Sequence, residues 1–305
     1  MSEISDNNNP SVLITGIEGF TGQYLADYLG QNGYTVYGIS LFRDEQNSRV
    51  YQCDLSIRSE VEKVFNRIHP GFIIHLAGIS FVQTEEIDRI YAVNVKGTEN
   101  LLSVIAEGEE LPEKVILASS AAVYGNQAAE ILDESMCPQP NTHYGISKLA
   151  MEHMARNYFN KLNIVLVRPF NYTGPNQASH FVIPKIVDHF CRKERIIELG
   201  NTEVYREYNG IGYVADLYSQ LLTIPAEGEI VNLCSGRTYA LLDIIEKLQQ
   251  ITDHDIEVRI NKKFVRKYEM RMLKGSTTRL ESLLTTLPSN PPMDTILKDM
   301  LAARA

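Results

Sequence analysis

Nothing in this 305-residue chain runs long in one character. Its charges sum to −9 but come from intermixed Asp, Glu, Lys and Arg with no run of one sign, which excludes a nucleic-acid footprint and a polybasic membrane patch. Apolar stretches such as Phe72 to Ala77 are strand-sized, far short of a membrane span, and residues 1–10 (MSEISDNNNP) lack the apolar core of a secretion signal. A cytoplasmic protein with neither a membrane nor a nucleic-acid partner is expected. Four cysteines, Cys53, Cys137, Cys191 and Cys234, show no close pairing or metal-like spacing, and the seven histidines form no His-x-x-x-His pair. Reduced thiols and no metal site follow.

What is present is a 44% hydrophobic chain, enough for one large core or a core with an appended lobe. Residues 1–10 are polar and Asn-rich, which predicts a disordered leader. From Val12 onward, short apolar runs alternate with longer helical stretches. Val12–Thr15, Val36–Ser40, Val50–Cys53, Phe72–Leu76, Val115–Ser119 and Ile164–Val167 read as strands. Helices are expected over Thr21–Asn32, Ser56–His69, Glu85–Glu109 and Thr142–Lys161. This rhythm predicts an α/β fold: a doubly wound parallel (Rossmann) sheet covered on both faces. After Pro169 breakers multiply (Gly174-Pro175, Pro184, Gly200-Asn201), with a helix near Lys185–Arg195 between them. Further on, a helix near Val214–Thr223, a strand at Glu229–Leu233 and a helix at Ala240–Gln249 are expected. The expected division is a dinucleotide-binding domain of 11–170 with 210–236, and a smaller substrate lobe of 171–209 with 237–305.

The first strand runs into Thr15-Gly16-Ile17-Glu18-Gly19-Phe20-Thr21-Gly22 and then a helix. Gly16, Gly19 and Gly22 permit positive φ, close approach of backbone to a pyrophosphate, and tight strand-helix packing. The helix start at Phe20 and Thr21 then aims N–H groups at the anion. A plain tight turn would use the same residues, but the strand-turn-helix context favours a dinucleotide. The second strand ends Gly38-Ile39-Ser40-Leu41-Phe42-Arg43, with no acid to bind a ribose and one cation able to meet a 2′-phosphate. NADP(H) is preferred over NAD(H) on this ground, unless Arg43 is merely solvated.

Tyr144 and Lys148 stand four apart near the start of a helix, so they share a face. Tyrosine ionises near pH ~10, and a lysine cation beside it favours the phenolate. Tyr144 can then give or take a proton on a substrate oxygen while hydride moves at the same carbon. Ser120, after the fifth strand, can hydrogen-bond that oxygen. Taken alone, Tyr-x-x-x-Lys could equally be a surface pair.

With Cys53-Asp54-Leu55, His75-Leu76-Ala77-Gly78, Asn94-Val95-Lys96-Gly97-Thr98, Tyr124-Gly125 and Arg168-Pro169-Phe170-Asn171 in the same order, the chain from about Val12 to Leu280 resembles the extended short-chain dehydrogenase/reductase family of nucleotide-sugar enzymes. That resemblance implies that Asp54 and Leu55 flank the adenine, Leu76, Ala77 and Gly78 follow the cofactor backbone, and Asn94 supports the active site. It also implies that Lys148 holds the nicotinamide ribose and that Pro169 and Asn171 border the cofactor. On the substrate side it points to Ser80, Ser120, Asn171, Phe181, Lys185, Arg206 and Arg271, the two arginines as diphosphate clamps, since a guanidinium binds phosphate oxygens bidentately. Solvated arginines and a loop-capping Asn171 are the alternatives. Two positions depart from the family pattern: His143 stands where proline is frequent, and Tyr213 where Asp is usual.

A 4,6-dehydratase would need a carboxylate pair after Ser120, where this chain has Ala121-Ala122. A reductase or an epimerase remains. The segments 168–177, 232–236 and 271–280 look most like reductases of GDP-linked 4-keto-6-deoxy-mannose, so NADPH-dependent reduction of a C4 ketone is favoured, with an NAD-dependent nucleotide-sugar 4-epimerase as the alternative. Family members commonly pair their two long helices across a two-fold axis. A homodimer is expected, with Ile90, Val93, Met151 and Met154 as candidate contacts.

Overall fold

A computed structural model describes residues 9–80, 87–265 and 270–304. In chain order the elements are β1 (Ser11–Thr15), α1 (Phe20–Gln31), β2 (Thr35–Ser40), β3 (Val50–Gln52), α2 (Arg58–Phe65), β4 (Phe72–His75), α3 (Ile87–Tyr91), α4 (Thr98–Glu107) and β5 (Lys114–Ala118). They continue with β6 (Ile131–Leu132), α5 (His143–Ala155), β7 (Ile164–Pro169), β8 (Tyr172–Thr173), α6 (Val182–Cys191), β9 (Ile196–Leu199), β10 (Tyr205–Glu207), β11 (Asn209–Gly210) and α7 (Ile211–Thr223). Last come β12 (Ile230–Leu233), β13 (Thr238–Ala240), α8 (Leu241–Thr252), β14 (Glu257–Ile260), β15 (Met272–Gly275), α9 (Thr278–Leu283) and α10 (Met293–Ala302).

The described residues divide into two compact units, one within 1–125, 137–168 and 215–231, the other within 126–136, 169–214 and 232–305. The boundaries differ from those expected. Residues 126–136 join the second unit because β6 pairs there with β15, Ile131 beside Lys274. Residues 169–170, 210–214 and 232–236 also belong to the second unit.

A seven-stranded sheet in the order β12-β7-β5-β4-β1-β2-β3 organises the first unit, and its pairings from β7 to β3 are parallel. Its strands are nearly continuous apolar runs because both faces are covered. Leu13, Ile73, Val115, Leu117 and Leu166 pack with Leu101, Leu102 and Ile105 of α4 and Met151 and Ala155 of α5. Strand order reverses between β1 and β4, so the loops after those strands border a crevice of the kind in which open α/β sheets bind ligands.

The second unit holds a four-stranded sheet, β13-β10-β15-β6, and two strand pairs, β11-β8 and β14-β9. Its core joins Ile183, Ile186 and Phe190 of α6 to Ile244 and Leu248 of α8 and Leu297 and Met300 of α10.

Three local expectations change. The single long helix expected over Glu85–Glu109, whose first two residues lie outside the described ones, is instead α3, a π-helical turn over Ala92–Gly97, and α4. Pro184 does not break the chain but lies in the first turn of α6, where backbone N–H groups have no helical acceptor to lose. Ile90 and Met151 are 1% and 0% exposed within the chain, so they cannot supply contacts to a second copy. Among the described residues no helix is long and apolar enough to cross a membrane.

Candidate active site

The glycine turn leaves β1 with Gly16 at φ +70° and ends at Gly19, which caps α1 without contributing a side chain. Each glycine answers a separate crowding. A Cβ on Gly16 would lie 3.0 Å from the Ala77 backbone, one on Gly19 3.2 Å from the Gly16 carbonyl, and one on Gly22 2.3 Å from the same oxygen. The first contact ties the turn to the loop after β4, and the third seats α1 on the turn. This cradle fits a dinucleotide pyrophosphate, since the first N–H groups of α1 point along its axis toward the place a phosphate would take.

Beyond β2, the Ser40 hydroxyl accepts from the Phe42 N–H at 3.0 Å, and Leu41, Phe42 and Arg43 are exposed. Asp54 accepts from the Ser56 N–H at 2.8 Å in a turn ahead of α2, and Leu55 is buried.

The loop after β4 is held by a buried polar chain. Thr15 Oγ1 accepts from the Ala77 N–H at 3.2 Å and lies 2.7 Å from His75 Nδ1; His75 Nε2 lies 2.8 Å from Thr98 Oγ1, which donates to the Asn94 carbonyl. The Thr98 proton is thus committed, so Nε2 carries hydrogen and Nδ1 accepts from Thr15. Burial and the nearby Lys148 charge push His75 down to about 3, which keeps it neutral. Asn94 sits in the π-helical turn. Its Oδ1 accepts from the Ile79 N–H at 2.8 Å, and its amide donates to the Ile79 carbonyl and to Ser147 Oγ. Ser147 in turn donates to the Tyr144 carbonyl at 2.8 Å. A Cβ on Gly78 would lie 3.1 Å from both Asn94 Oδ1 and Lys148 Nζ, so the bare backbone there preserves this cluster. Ser80 is exposed two residues on.

α5 begins at Thr142, whose hydroxyl accepts from the Gly145 N–H at 3.1 Å. Ser120 caps a short 3-10 turn, Ala121–Tyr124, through an acceptor contact of 3.1 Å with the Ala122 N–H. A Cβ on Gly145 would stand 2.7 Å from the Ala122 carbonyl. The missing side chain therefore lets the helix start carrying Tyr144 press against the turn carrying Ser120. Lys148 is buried, and its ammonium donates to the Ala118 carbonyl at 2.7 Å. Burial lowers it to about 8, with Glu152 acting in the opposite direction. His143 takes the first position of α5, its Nδ1 3.2 Å from the Tyr91 hydroxyl. A helix start requires no N–H acceptor there, so histidine serves as well as proline.

In the second unit, Pro169 ends β7 and Asn171 is exposed just after it, its carbonyl accepting from the Asn209 N–H at 3.0 Å. β10 and β15 run parallel with Arg206 beside Leu273, and the Arg271 carbonyl, just before β15, accepts from the Tyr205 N–H at 2.8 Å. A surface cavity of about 450 Å³ is lined by Thr202, Tyr205, Leu242, Asp243 and Arg271 among others. Phe181 caps α6 with its ring 4.2 Å from that of His180. Lys185 spends its ammonium on the Glu198 carbonyl at 2.7 Å and on the face of Phe264. Tyr213 is buried, donates to the Cys234 carbonyl at 2.8 Å, and is raised above the ordinary tyrosine range by burial.

Sequence reasoning named Ser120, Tyr144, Lys148, Asn94 and the glycine triplet but missed Glu152, and it quoted Thr15, Gly145, His75 and Arg168 without a role. Gly145 lies inside the Tyr-x-x-x-Lys motif, and Glu152 follows Lys148 by four; that spacing was the available signal.

A glycine cradle at a strand-order reversal, beside a serine, a tyrosine helix start and a buried lysine, defines a dinucleotide-dependent oxidoreductase. The chain belongs to the NAD dependent epimerase/dehydratase family, which matches residues 12–234. It is an NAD(P)-dependent enzyme of the extended short-chain dehydrogenase/reductase type. It is 34% identical over 274 residues to GDP-6-deoxy-D-talose 4-dehydrogenase of Aggregatibacter actinomycetemcomitans, covering 90% of each chain. It is 28% identical to GDP-6-deoxy-D-mannose reductase of Pseudomonas aeruginosa, over 88% of this chain and 89% of that one. The solved structure of RMD from Pseudomonas aeruginosa complexed with NADPH superposes with a TM-score of 0.84 at 26% identity, over 96% of this chain and 98% of that one.

Proposed function

We propose that the protein reduces the C4 keto group of a GDP-linked 4-keto-6-deoxy sugar with NADPH. One observation carries this reading: two relatives matched over nearly their whole length are both named for oxidation or reduction of a GDP-linked 6-deoxyhexose. The NADPH complex of a similar structure supports the choice of cofactor. The 3-10 turn after Ser120 argues against dehydration, since it begins Ala121-Ala122 and offers no carboxylate to remove a proton beside the ketone.

When bound, the reduced nicotinamide supplies the hydride. The Tyr144 hydroxyl gives its proton to the C4 oxygen, and Ser120 Oγ hydrogen-bonds the same oxygen. Lys148 steadies the resulting phenolate through its positive charge and binds the nicotinamide ribose. Gly16, Gly19, Phe20, Thr21 and Gly22 hold the pyrophosphate, and Arg43 meets the 2′-phosphate. Asp54, Leu55, Leu76, Ala77 and Gly78 line the adenosine side, with Asn94, Pro169 and Asn171 bordering the nicotinamide. Arg206 and Arg271 clamp the sugar diphosphate, with Ser80, Phe181 and Lys185 contributing to the substrate side.

The test is to mix protein, NADPH and the 4-keto sugar nucleotide and follow absorbance of the reduced cofactor. Consumption matched by a 4-hydroxy product is expected. Untouched NADPH, together with conversion of a UDP-hexose to its C4 epimer without added cofactor, would replace this reading with the epimerase. A homodimer in the cytoplasm belongs to the same proposal. Of its named contacts only Val93 and Met154 remain partly exposed, and a monomer mass by light scattering at micromolar concentration would remove it.

A further inference from the structure

The end of β5 and the two residues after it lie along α5, whose Lys148 and Glu152 are one helical turn apart. Ala118 offers its carbonyl to Lys148, Ser119 donates its hydroxyl to Glu152 Oε1 at 2.5 Å, and Ser120 caps the turn against which the Tyr144 helix start packs. Glu152 is the innermost rung, 1% exposed, and Arg168 of β7 grips it with Nε to Oε1 at 2.9 Å and Nη2 to Oε2 at 2.7 Å. The guanidinium also lies over the Tyr124 ring, 4.9 Å from its centroid. Burial alone would lower the Arg168 guanidinium, but its pairing with Glu152 more than reverses this and raises it.

This grip is costlier than a merely structural need explains, because a buried ion pair of this kind is commonly replaceable by apolar side chains at no loss of stability. Its position suggests what it is kept for. The charged and titratable groups acting on Lys148 are His75 at the end of β4 and Glu152 one turn along its own helix; Arg168 is paired to that carboxylate, and Tyr144 lies one turn back on α5. His75 is neutral, so Glu152 is the one anion acting on the lysine among the described residues.

We propose that Glu152 is a positioning residue that holds Lys148 in its charged form at the active site, with Arg168 and Ser119 fixing the carboxylate for that task. The inference rests on the reading of Tyr144 and Lys148 as the proton-handling pair, yet its first test needs neither substrate nor cofactor. With ε-13C-labelled lysine, the Lys148 resonance, identified by its absence in Lys148→Met, should titrate near pH 8. In Glu152→Gln the midpoint should fall by about one pH unit, since the opposite charge one helical turn along α5 is removed. Glu152→Asp, which keeps the charge, should restore most of the loss. The alkaline limb of kcat for carbonyl reduction should move to lower pH with the midpoint. A Glu152→Gln midpoint at the wild-type value would overturn the proposal whatever the reaction is. Should Glu152→Gln fail to fold, Glu152→Gln/Arg168→Gln removes the orphaned cation and is read in the same way. A lowered midpoint supports the assignment and an unmoved one refutes it.

Discussion

Gly22 and Gly30 lie on the same helix, α1, and predict opposite outcomes for the same substitution. Ala at position 22 would bring its Cβ 2.3 Å from the Gly16 carbonyl and 2.7 Å from both Cα and O of Ile17. All are backbone atoms of the turn itself, so no flexible side chain can yield. Ala gains about 1 kcal/mol over Gly in a helix interior, while forced overpacking typically costs about 1–3 kcal/mol. A clash against three backbone atoms belongs at or beyond the upper end, which leaves a net loss of about 2 kcal/mol. At position 30 the added Cβ meets nothing within 4 Å, so Gly30→Ala should gain about 0.5–1 kcal/mol. At about 2–4 °C per kcal/mol for a large domain, thermal unfolding should shift down by roughly 4–8 °C for Gly22→Ala and up by roughly 1–4 °C for Gly30→Ala. Because the first substitution moves the pyrophosphate cradle, NADPH titration should also show affinity weaker by about tenfold or more, equivalent to about 1.4 kcal/mol, with Gly30→Ala unchanged. Equal stability and equal NADPH affinity in the two variants would refute the account of the turn.

Tyr144→Phe should preserve unfolding temperature and NADPH binding but lose most turnover, on the order of 100-fold or more in kcat, because only the proton-transferring hydroxyl is removed; near-normal turnover would refute its role. Arg43→Ala should raise Kd for NADPH severalfold and leave NADH nearly unaffected, since only the former carries a 2′-phosphate; equal changes by fluorescence titration would make Arg43 plain surface charge.

Much of the first unit was legible in the sequence because its information is local. Apolar runs such as Val12–Thr15 and Phe72–His75 exceed what any half-buried strand would show, and the glycine triplet announces its own backbone geometry. The π-helical turn at Ala92–Gly97 was not legible, because an extra residue in a turn leaves no compositional mark. It is nevertheless what puts Asn94 at the Ile79 peptide. The grouping of 126–136 with the second unit was not legible for a related reason. β6 has only two residues, Ile131 and Leu132, and its partner β15 lies about 140 positions on, at Lys274 and Gly275, so nothing nearby in sequence specifies the pairing.

Buried polar groups were the least legible class, and the candidate site depends on two sets of them with opposite character. The set from Thr15 through His75, Thr98 and Asn94 to Ser147 is neutral throughout, linking the glycine turn to the start of α5. The set of Lys148, Glu152 and Arg168 is ionic. The difference follows from where Lys148 lies. A protonated His75 would place a second cation against a lysine already penalised by burial, whereas a neutral ring with a fixed tautomer orients Thr15 and Thr98 without adding charge. On the other side the lysine needs an anion, and that anion needs a cation of its own to be tolerated in the interior. In a one-dimensional reading His75, Glu152 and Arg168 are three scattered polar residues. Their roles arise only when β4, α5 and β7 converge on one ammonium group, which is why the motif residues could be named in advance and their supports could not.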